Sequence, residues 1–234
     1  MPDIALTHGI ASSAPRVADA PRHAALVRVT HWITAACFLA LLVSGIEILI
    51  SHPRFYWGET GNVSMPSLFD IPIPASRGAV QTGYGYVLKD QNGWSRSLHF
   101  QAAWFAVFTA LLYGVWGFVS GHFRRNLAPA DLSWRAQSES YNSLQRITYL
   151  AVIFVLFPLM IWTGLAMSPA FVSAVPFAAT AFGGQQSART IHFFITLLLV
   201  AFLVGHVAMV CISGFRARMR AMITGRGAAW QEQA

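Results

Sequence analysis

Four long, mainly apolar segments dominate the hydropathy pattern of this chain. They cover residues 27–50, 98–119, 147–167 and 191–212 approximately. Each is close to the roughly 20 residues that an α-helix needs to cross about 30 Å of hydrocarbon. Pro158 lies inside the third segment, at a position where membrane helices tolerate a kink. The pattern therefore predicts an all-α membrane protein built as a bundle of four transmembrane helices.

Composition supports a lipid-embedded chain. Hydrophobic residues make up 55% of the sequence and charged residues 11%, whereas soluble domains carry about 25% charged residues. The net charge is +7, but the basic residues lie mostly outside the apolar segments. They therefore indicate topology and contacts with anionic membrane lipids, and no nucleic-acid partner is expected. Cys37 and Cys211 lie inside apolar segments and are predicted to be buried thiols, and the absence of a C-x-x-C-H motif excludes covalently attached c-type haem.

The distribution of arginine and lysine predicts that both termini are cytoplasmic. Eleven of the sixteen basic residues fall on the side that would hold the termini, and five fall on the other side. The eleven are Arg16, Arg22, Arg28, Arg124, Arg125, Arg135, Arg146, Arg216, Arg218, Arg220 and Arg226. Cytoplasmic loops carry the excess of basic residues in membrane proteins. The long connection between the first two helices is consequently predicted to be periplasmic.

Three regions follow from this topology. Residues 1–21 mix alanine, serine, proline and charge without the apolar core of a signal peptide, which predicts a disordered cytoplasmic tail. Residues 22–222 are predicted to form the transmembrane domain, and residues 223–234 a second cytoplasmic tail. The periplasmic loop over 51–97 is rich in glycine, proline and aromatic residues. Loops of this length are usually functional or disordered, and we expect an ordered surface that docks a partner.

Four histidines lie within or at the ends of the predicted helices, where ionisable residues are rare and usually functional. They are His31, His99, His192 and His206. The last two are 14 residues apart on the fourth segment. That spacing puts them about 40° apart around the helix and about 21 Å apart along its axis. They are therefore expected on one helix face at two depths of the bilayer.

Topology gives each of these two histidines a partner at its own depth. The first helix runs outward, so His31 near its start lies at the level of His206. The second helix begins outside, so His99 lies at the level of His192. The sequence therefore predicts the pairs His31–His206 and His99–His192.

Paired imidazoles at two depths favour two b-type haems. Two axial histidines saturate the iron, which then cycles between Fe(III) and Fe(II) without binding oxygen. A zinc site would need cysteines or carboxylates grouped close together. The four histidines are accordingly predicted to be the axial ligands of two haems b. The alternative is four unrelated histidines in polar contacts, as in a non-redox membrane scaffold or carrier.

Other residues near these depths have weaker assignments. His23, His52 and His122 fail the pairing geometry and are predicted to be interfacial, with His52 as a reserve ligand for the outer haem. Gly45 lies on the face of the first-helix ligand at the outer depth, and Gly117 lies on the face of the second-helix ligand at the inner depth. Glycines at these places either leave room for a macrocycle or serve ordinary helix packing.

Four segments together resemble the prokaryotic di-haem cytochrome b family, over about residues 22–220. They are RVTHWITAACFLALLVSG, SRSLHFQAAW, YNSLQRITYL and RTIHFFITLLLVAFLVGHV. That family includes the bacterial cytochrome b561 proteins and the membrane subunits of nickel–iron hydrogenases, formate dehydrogenases and thiosulfate reductases. The resemblance implies haem-bearing helices with cytoplasmic termini in the bacterial inner membrane, and a catalytic partner docked on one side.

The resemblance also implies a quinone site and a class of partner. In the formate dehydrogenase type, residues of a Y-N-x-x-Q run contribute to a quinone site beside the inner haem. The matching residues here are Tyr141, Asn142 and Gln145. Amide side chains hydrogen-bond carbonyl oxygens well, while helix capping and interfacial solvation are the alternative roles. The loop run HPRFYWGETGN is most similar to thiosulfate reductase-like members, which accompany molybdenum oxidoreductases.

The predicted function is that of a membrane anchor subunit of an oxidoreductase complex. It would pass electrons between the quinone pool and a periplasmic redox partner, with no substrate chemistry in this chain alone. One alternative is a self-sufficient cytochrome b561 that exchanges electrons between a small redox molecule and quinone. The other alternative is the non-redox membrane scaffold.

Overall fold

The structure, a computed structural model, describes residues 23–62, 64–72, 92–126 and 143–225, with side chains for all of these except residues 92, 125–126 and 143–146. Within these residues, four helices are long and apolar enough to cross a membrane: Ala25–Ser51, Gly93–Val119, Ile147–Ala166 and Gln185–Ile212. The predicted all-α bundle of four spans is confirmed. The cytoplasmic placement of the termini stays a prediction. The predicted tail over 1–21 lies outside the described residues, as do residues 226–234 of the predicted tail over 223–234.

The elements follow one another along the chain in a simple order. They are α1 (Ala25–Ser51), β1 (Arg54–Phe55), β2 (Phe69–Asp70), α2 (Asn92–Val119), α3 (His122–Asn126), α4 (Ser143–Ala151), a π turn (Val152–Leu156), α5 (Phe157–Ala166), α6 (Pro169–Ala174), α7 (Phe177–Thr180), α8 (Gln185–Ile212) and α9 (Phe215–Thr224). The third span is the continuous run of α4, the π turn and α5. The end of the bundle near the β1–β2 hairpin is called the loop end here, and the opposite end the terminal end.

The third span widens into a π turn where the sequence predicted a kink. The π turn ends two residues before Pro158, which lies in the first turn of α5. Proline lacks an N–H donor, and its ring clashes with the carbonyl four residues earlier in a regular α-helix. A wider turn accommodates both features without breaking the span.

The four spans form two helical hairpins. The first consists of α1 and α2, and the second consists of the third span and α8. Helix α1 packs against α2 along its length, and α5 packs against α8. The buried apolar cluster of Val152, Ile195 and Leu199 joins the third span to α8. Most other large apolar side chains on the spans are exposed, as lipid-facing residues must be. Cys37 is buried as predicted, whereas Cys211 is exposed, so the prediction of two buried thiols is wrong for Cys211.

The loop between α1 and α2 is fastened onto the start of α8. The backbone N–H of Gly58 donates to Ser187 Oγ at 2.7 Å, and the Gly58 carbonyl accepts from the backbone N–H of Gln186 at 3.0 Å. Glu59 Oε2 accepts from the backbone N–H of Gln185 at 3.1 Å, where a carboxylate complements the positive end of the helix dipole. Gly184 has a φ of 123° and packs directly against the backbone of Gly58. These contacts tie the first hairpin to the second at the loop end.

An arginine and an aromatic cluster extend this attachment. The guanidinium of Arg189 donates to the backbone carbonyls of His52 and Arg54 and lies 4.8 Å from the centroid of the Phe55 ring. Phe55 stacks on Phe69 of the paired strand with ring centroids 4.6 Å apart. The described part of the predicted periplasmic loop is therefore ordered against α8.

A second attachment lies at the terminal end. After a left-handed residue at Gly214, α9 turns back toward the start of α1. Arg28 Nη1 donates to the carbonyl of Ile223 at 2.9 Å, and Trp32 Nε1 donates to the carbonyl of Met222 at 3.2 Å. The two hairpins are thus tied together at both ends of the bundle.

Candidate functional site

The structure brings the four histidines together as two pairs. The ring centroids of His31 and His206 are 6.2 Å apart, with an interplanar angle of 50°. Those of His99 and His192 are 6.4 Å apart, with an interplanar angle of 56°. One pair joins α1 to α8 at the terminal end, and the other joins α2 to α8 at the loop end. Both pairs bridge the space between the two hairpins.

Helix α8 sets the separation of the two pairs. It is regular from Gln185 to Ile212 and carries His192 and His206 on one face. Fourteen residues of α-helix rise by about 21 Å, so the two pairs lie at clearly different levels of the bundle. A single rigid element therefore fixes the spacing between the two candidate centres.

Both histidines of the loop-end pair are held by a hydroxyl from the neighbouring helix of their own hairpin. His99 Nδ1 lies 3.0 Å from Ser44 Oγ of α1, and His192 Nδ1 lies 2.9 Å from Thr163 Oγ1 of α5. Sequence reasoning missed both hydroxyl residues. Serine and threonine are common inside membrane helices, where they hydrogen-bond their own backbone, so the sequence offers no sign that these two reach another helix.

The terminal-end pair has a more aromatic environment. His31 meets the edge of Trp32 with centroids 5.2 Å apart, and its Nδ1 is buried without a hydrogen-bond partner among the described residues. Phe202 stacks on His206 with centroids 5.8 Å apart, and Tyr149 meets it edge-on at 6.4 Å. The two pairs therefore differ in how their imidazoles are held.

The glycines expected beside the candidate haems have different neighbours. A Cβ at Gly45 would lie 3.6 Å from Cε1 of His99, which is ordinary contact, so this glycine does lie against a candidate ligand. Gly117 instead packs beneath the ring of Phe123, where a Cβ would come within 2.4 Å of the ring. Close packing against α3 accounts for Gly117. At this position the glycine serves ordinary helix packing, which was the second of the two expectations for these glycines.

The remaining histidines with weaker assignments stand apart from both pairs. His52 Nε2 lies 3.0 Å from a guanidinium nitrogen of Arg96. The ring of His122 lies 4.8 Å from that of Trp116 and 6.1 Å from that of Tyr113, measured between centroids. Among the described residues, no group of three or more His, Cys, Asp or Glu side chains gathers to bind a metal ion directly.

The predicted quinone residues are not placed by the structure. Tyr141 and Asn142 lie outside the described residues. Gln145 belongs to α4, but its side chain is not among those described. Their role stays a prediction.

Comparison with known proteins gives two findings. A family model described as "Prokaryotic cytochrome b561" matches residues 22–225. The chain is also 27% identical over 209 residues to a putative protein-methionine-sulfoxide reductase subunit YedZ1 of Azospira oryzae. That alignment covers 81% of this chain and 90% of the relative.

The two histidine pairs fit the b-type haem that such a match implies. Two imidazoles that face each other across one metal ion, each with a nitrogen about 2 Å from the metal, have ring centroids about 6 Å apart. The observed separations of 6.2 and 6.4 Å agree with that geometry. In the loop-end pair the Nδ1 atoms are already engaged by hydroxyls, which leaves each Nε2 for a metal. The donor set is the one that a six-coordinate haem requires.

Proposed function

This chain belongs to the prokaryotic cytochrome b561 family of membrane electron-transfer proteins, and on that basis we propose that it holds two haems b and passes electrons across the bilayer. His31 and His206 would hold the inner haem, and His99 and His192 the outer one. One observation carries the proposal: two imidazole pairs, spaced for a shared metal, lie at two levels of one bundle and share helix α8.

Each part of the chain has a defined task in this proposal. When bound, haem b with two axial imidazoles supplies reversible one-electron exchange between Fe(III) and Fe(II). The four histidines would hold the two haems and would leave no coordination position open to oxygen or other ligands. Helix α8 fixes the distance between the centres. The apolar, lipid-facing spans exclude water and keep the surroundings low in dielectric constant, which insulates the path.

The partner is proposed to be a periplasmic redox subunit that docks at the loop end. The relative named above is itself a reductase subunit, which supports a multi-subunit complex. The loop that is fastened to α8 presents the exposed apolar side chains of Trp57, Met65 and Leu68, and such side chains are typical of protein interfaces. The partner class would be a molybdenum oxidoreductase, and electrons would pass between the quinone pool and that partner.

Quinone is proposed to react at the cytoplasmic start of the third span. Tyr141, Asn142 and Gln145 offer a phenol and two amides for the quinone carbonyl oxygens. Replacing Asn142 or Gln145 by Ala should slow reduction of the haems by a quinol while leaving their reduction by dithionite unchanged. Equal rates with quinol in wild type and in both variants would remove these residues from the site.

A haem count with a redox titration tests the central proposal. The full-length protein is purified from cells supplied with haem. A pyridine haemochrome assay should give two b haems per chain, and the redox titration should give two midpoint potentials. A colourless protein would support the non-redox scaffold and overturn the proposal. Copurification of a second subunit would support the anchor role, and full turnover with quinol and a small redox molecule alone would support the self-sufficient alternative.

A further inference from the structure

The loop-end histidines are held by two copies of one local arrangement. Ser44 and Gly45 of α1 contact His99, while Thr163 and Gly164 of α5 contact His192. In each copy a hydroxyl residue is followed directly by a glycine. These two residues face the histidine on the other helix of the same hairpin. We infer that Ser44 and Thr163 are positioning residues that orient the two histidines proposed to hold the outer haem. This inference rests on the proposed haem function.

The hydroxyls act as acceptors toward the histidines. Ser44 Oγ lies 2.7 Å from the carbonyl of Ala40, and Thr163 Oγ1 lies 2.8 Å from the carbonyl of Leu159. A hydroxyl has one hydrogen, and a backbone carbonyl can only accept. Because that hydrogen goes to the carbonyl, each hydroxyl receives the Nδ1–H of its histidine. This selects the imidazole tautomer whose Nε2 carries the lone pair.

A glycine lies beside each ring, directly after the hydroxyl residue in the sequence. A Cβ at Gly45 would lie 3.6 Å from His99 Cε1, and a Cβ at Gly164 would lie 3.7 Å from His192 Cε1. The ring edge between the two nitrogens therefore faces the glycine across a space that one carbon atom would fill. The hydroxyl therefore defines the tautomer of each imidazole and anchors its position, and the glycine leaves open space for one carbon atom beside the ring.

Burial makes these contacts hard to replace. Ser44 and Thr163 are both 0% exposed, so water does not reach either hydroxyl to compete for the hydrogen bond. The terminal-end pair differs, since Nδ1 of His31 is buried without a partner among the described residues. The hydroxyl contacts thus distinguish the outer centre from the inner one.

The chemical effect follows from the donor strength of the ligand. A histidine that donates its second ring N–H becomes a more basic metal ligand. More basic axial ligands favour Fe(III) over Fe(II) and lower the midpoint potential. Ser44 and Thr163 are therefore expected to lower the potential of the outer haem without affecting the inner one.

The test is a redox titration of Ser44→Ala and Thr163→Val in the full-length protein, with low-temperature EPR of the oxidised haems. Each variant should keep two haems per chain, and the midpoint potential of one haem should rise while the other is unchanged. That haem should be the one lost in His192→Ala. Thr163→Ser keeps the hydroxyl, so its midpoint potentials and its EPR signal should match those of the wild-type protein.

Thr109→Val is the matched control. Thr109 is a buried residue of α2 whose hydroxyl also donates to a backbone carbonyl four residues earlier, that of Phe105 at 2.7 Å. The Thr109→Val variant should leave the midpoint potentials of both haems unchanged. Wild-type potentials in Ser44→Ala and Thr163→Val, or a shift in the inner haem alone, would overturn the inference while leaving the two-haem proposal intact. A wild-type protein without two haems would overturn the function proposal itself.

Discussion

The imidazoles of His99 and His192 lie with their ring centroids 6.4 Å apart, although they belong to two helices that pack mainly against other partners. Helix α2 packs on α1, and α8 packs on the third span. The two rings are therefore brought together by the way in which the hairpins are tied, and they face a common space. Four predictions follow from this arrangement and from the contacts that maintain it.

Replacing either member of a pair should remove the same haem. We expect His99→Ala and His192→Ala to leave one haem per chain with the same remaining midpoint potential, because a six-coordinate haem is lost with either axial ligand. His31→Ala and His206→Ala should both retain the other haem. A haemochrome assay and a redox titration of each purified variant measure this. His122→Ala is the control and should keep both haems, while loss of different haems within one pair would refute the pairing.

The space beside His99 should accept one carbon atom but no more. A Cβ at Gly45 would be in ordinary contact with the imidazole, so Gly45→Ala should keep both haems. Gly45→Leu adds three further carbons against a ring whose position is fixed by Ser44, and it should displace His99 and lower the outer haem content. The haem-to-protein ratio of both variants gives the answer. Two haems per chain in Gly45→Leu would contradict the packing described here.

Gly184 should be the least replaceable residue of the loop attachment. Its φ is 123°, and a Cβ there would come within 2.5 Å of the Gly58 backbone. Backbone strain of this kind costs about 1–3 kcal/mol before any clash is counted. Gly184→Ala should therefore lower the thermal unfolding midpoint in detergent and expose the loop to protease. Gly183→Ala is the control for the clash: Gly183 also has a positive φ, of 78°, but a Cβ there would meet Ser187 Oγ only at 3.8 Å, so this variant should have the smaller effect.

Arg189 should contribute more to loop order than the surface ion pair nearby. Its guanidinium donates to the carbonyls of His52 and Arg54 and lies over Phe55. Hydrogen bonds from charged groups contribute about 1.5–3 kcal/mol each, so Arg189→Ala should speed hydrogen exchange over residues 52–59. The Arg54–Asp70 pair is 3.7 Å long and 46% and 47% exposed, and such pairs contribute about 0–1 kcal/mol. Asp70→Asn should leave the exchange rates nearly unchanged.

The spans were predictable because each apolar run is long enough to be a membrane helix by itself. The spacing of His192 and His206 was equally informative, since a 14-residue interval on one helix fixes both face and depth. The roles of Ser44 and Thr163 were not predictable. Their own backbone carbonyls satisfy both hydroxyls, so only the rotation of one helix against another decides whether a histidine is also within reach. That rotation depends on packing between spans.

The attachment of the loop was outside the reach of sequence reasoning for a related reason. The run from Arg54 to Gly61 shows aromatic and glycine residues but no pattern that names its partner. Its contacts with Gln186, Ser187 and Arg189 join positions more than 120 residues apart. Only the folded structure shows that the loop between α1 and α2 packs on the start of α8.

The attachments at both ends have a consequence for how far the two hairpins can move apart. Gly58 ties one hairpin to the other at the loop end, and Arg28 does so at the terminal end. The spacing between the hairpins, and with it the separation of the rings in each histidine pair, is therefore set by contacts within the polypeptide itself.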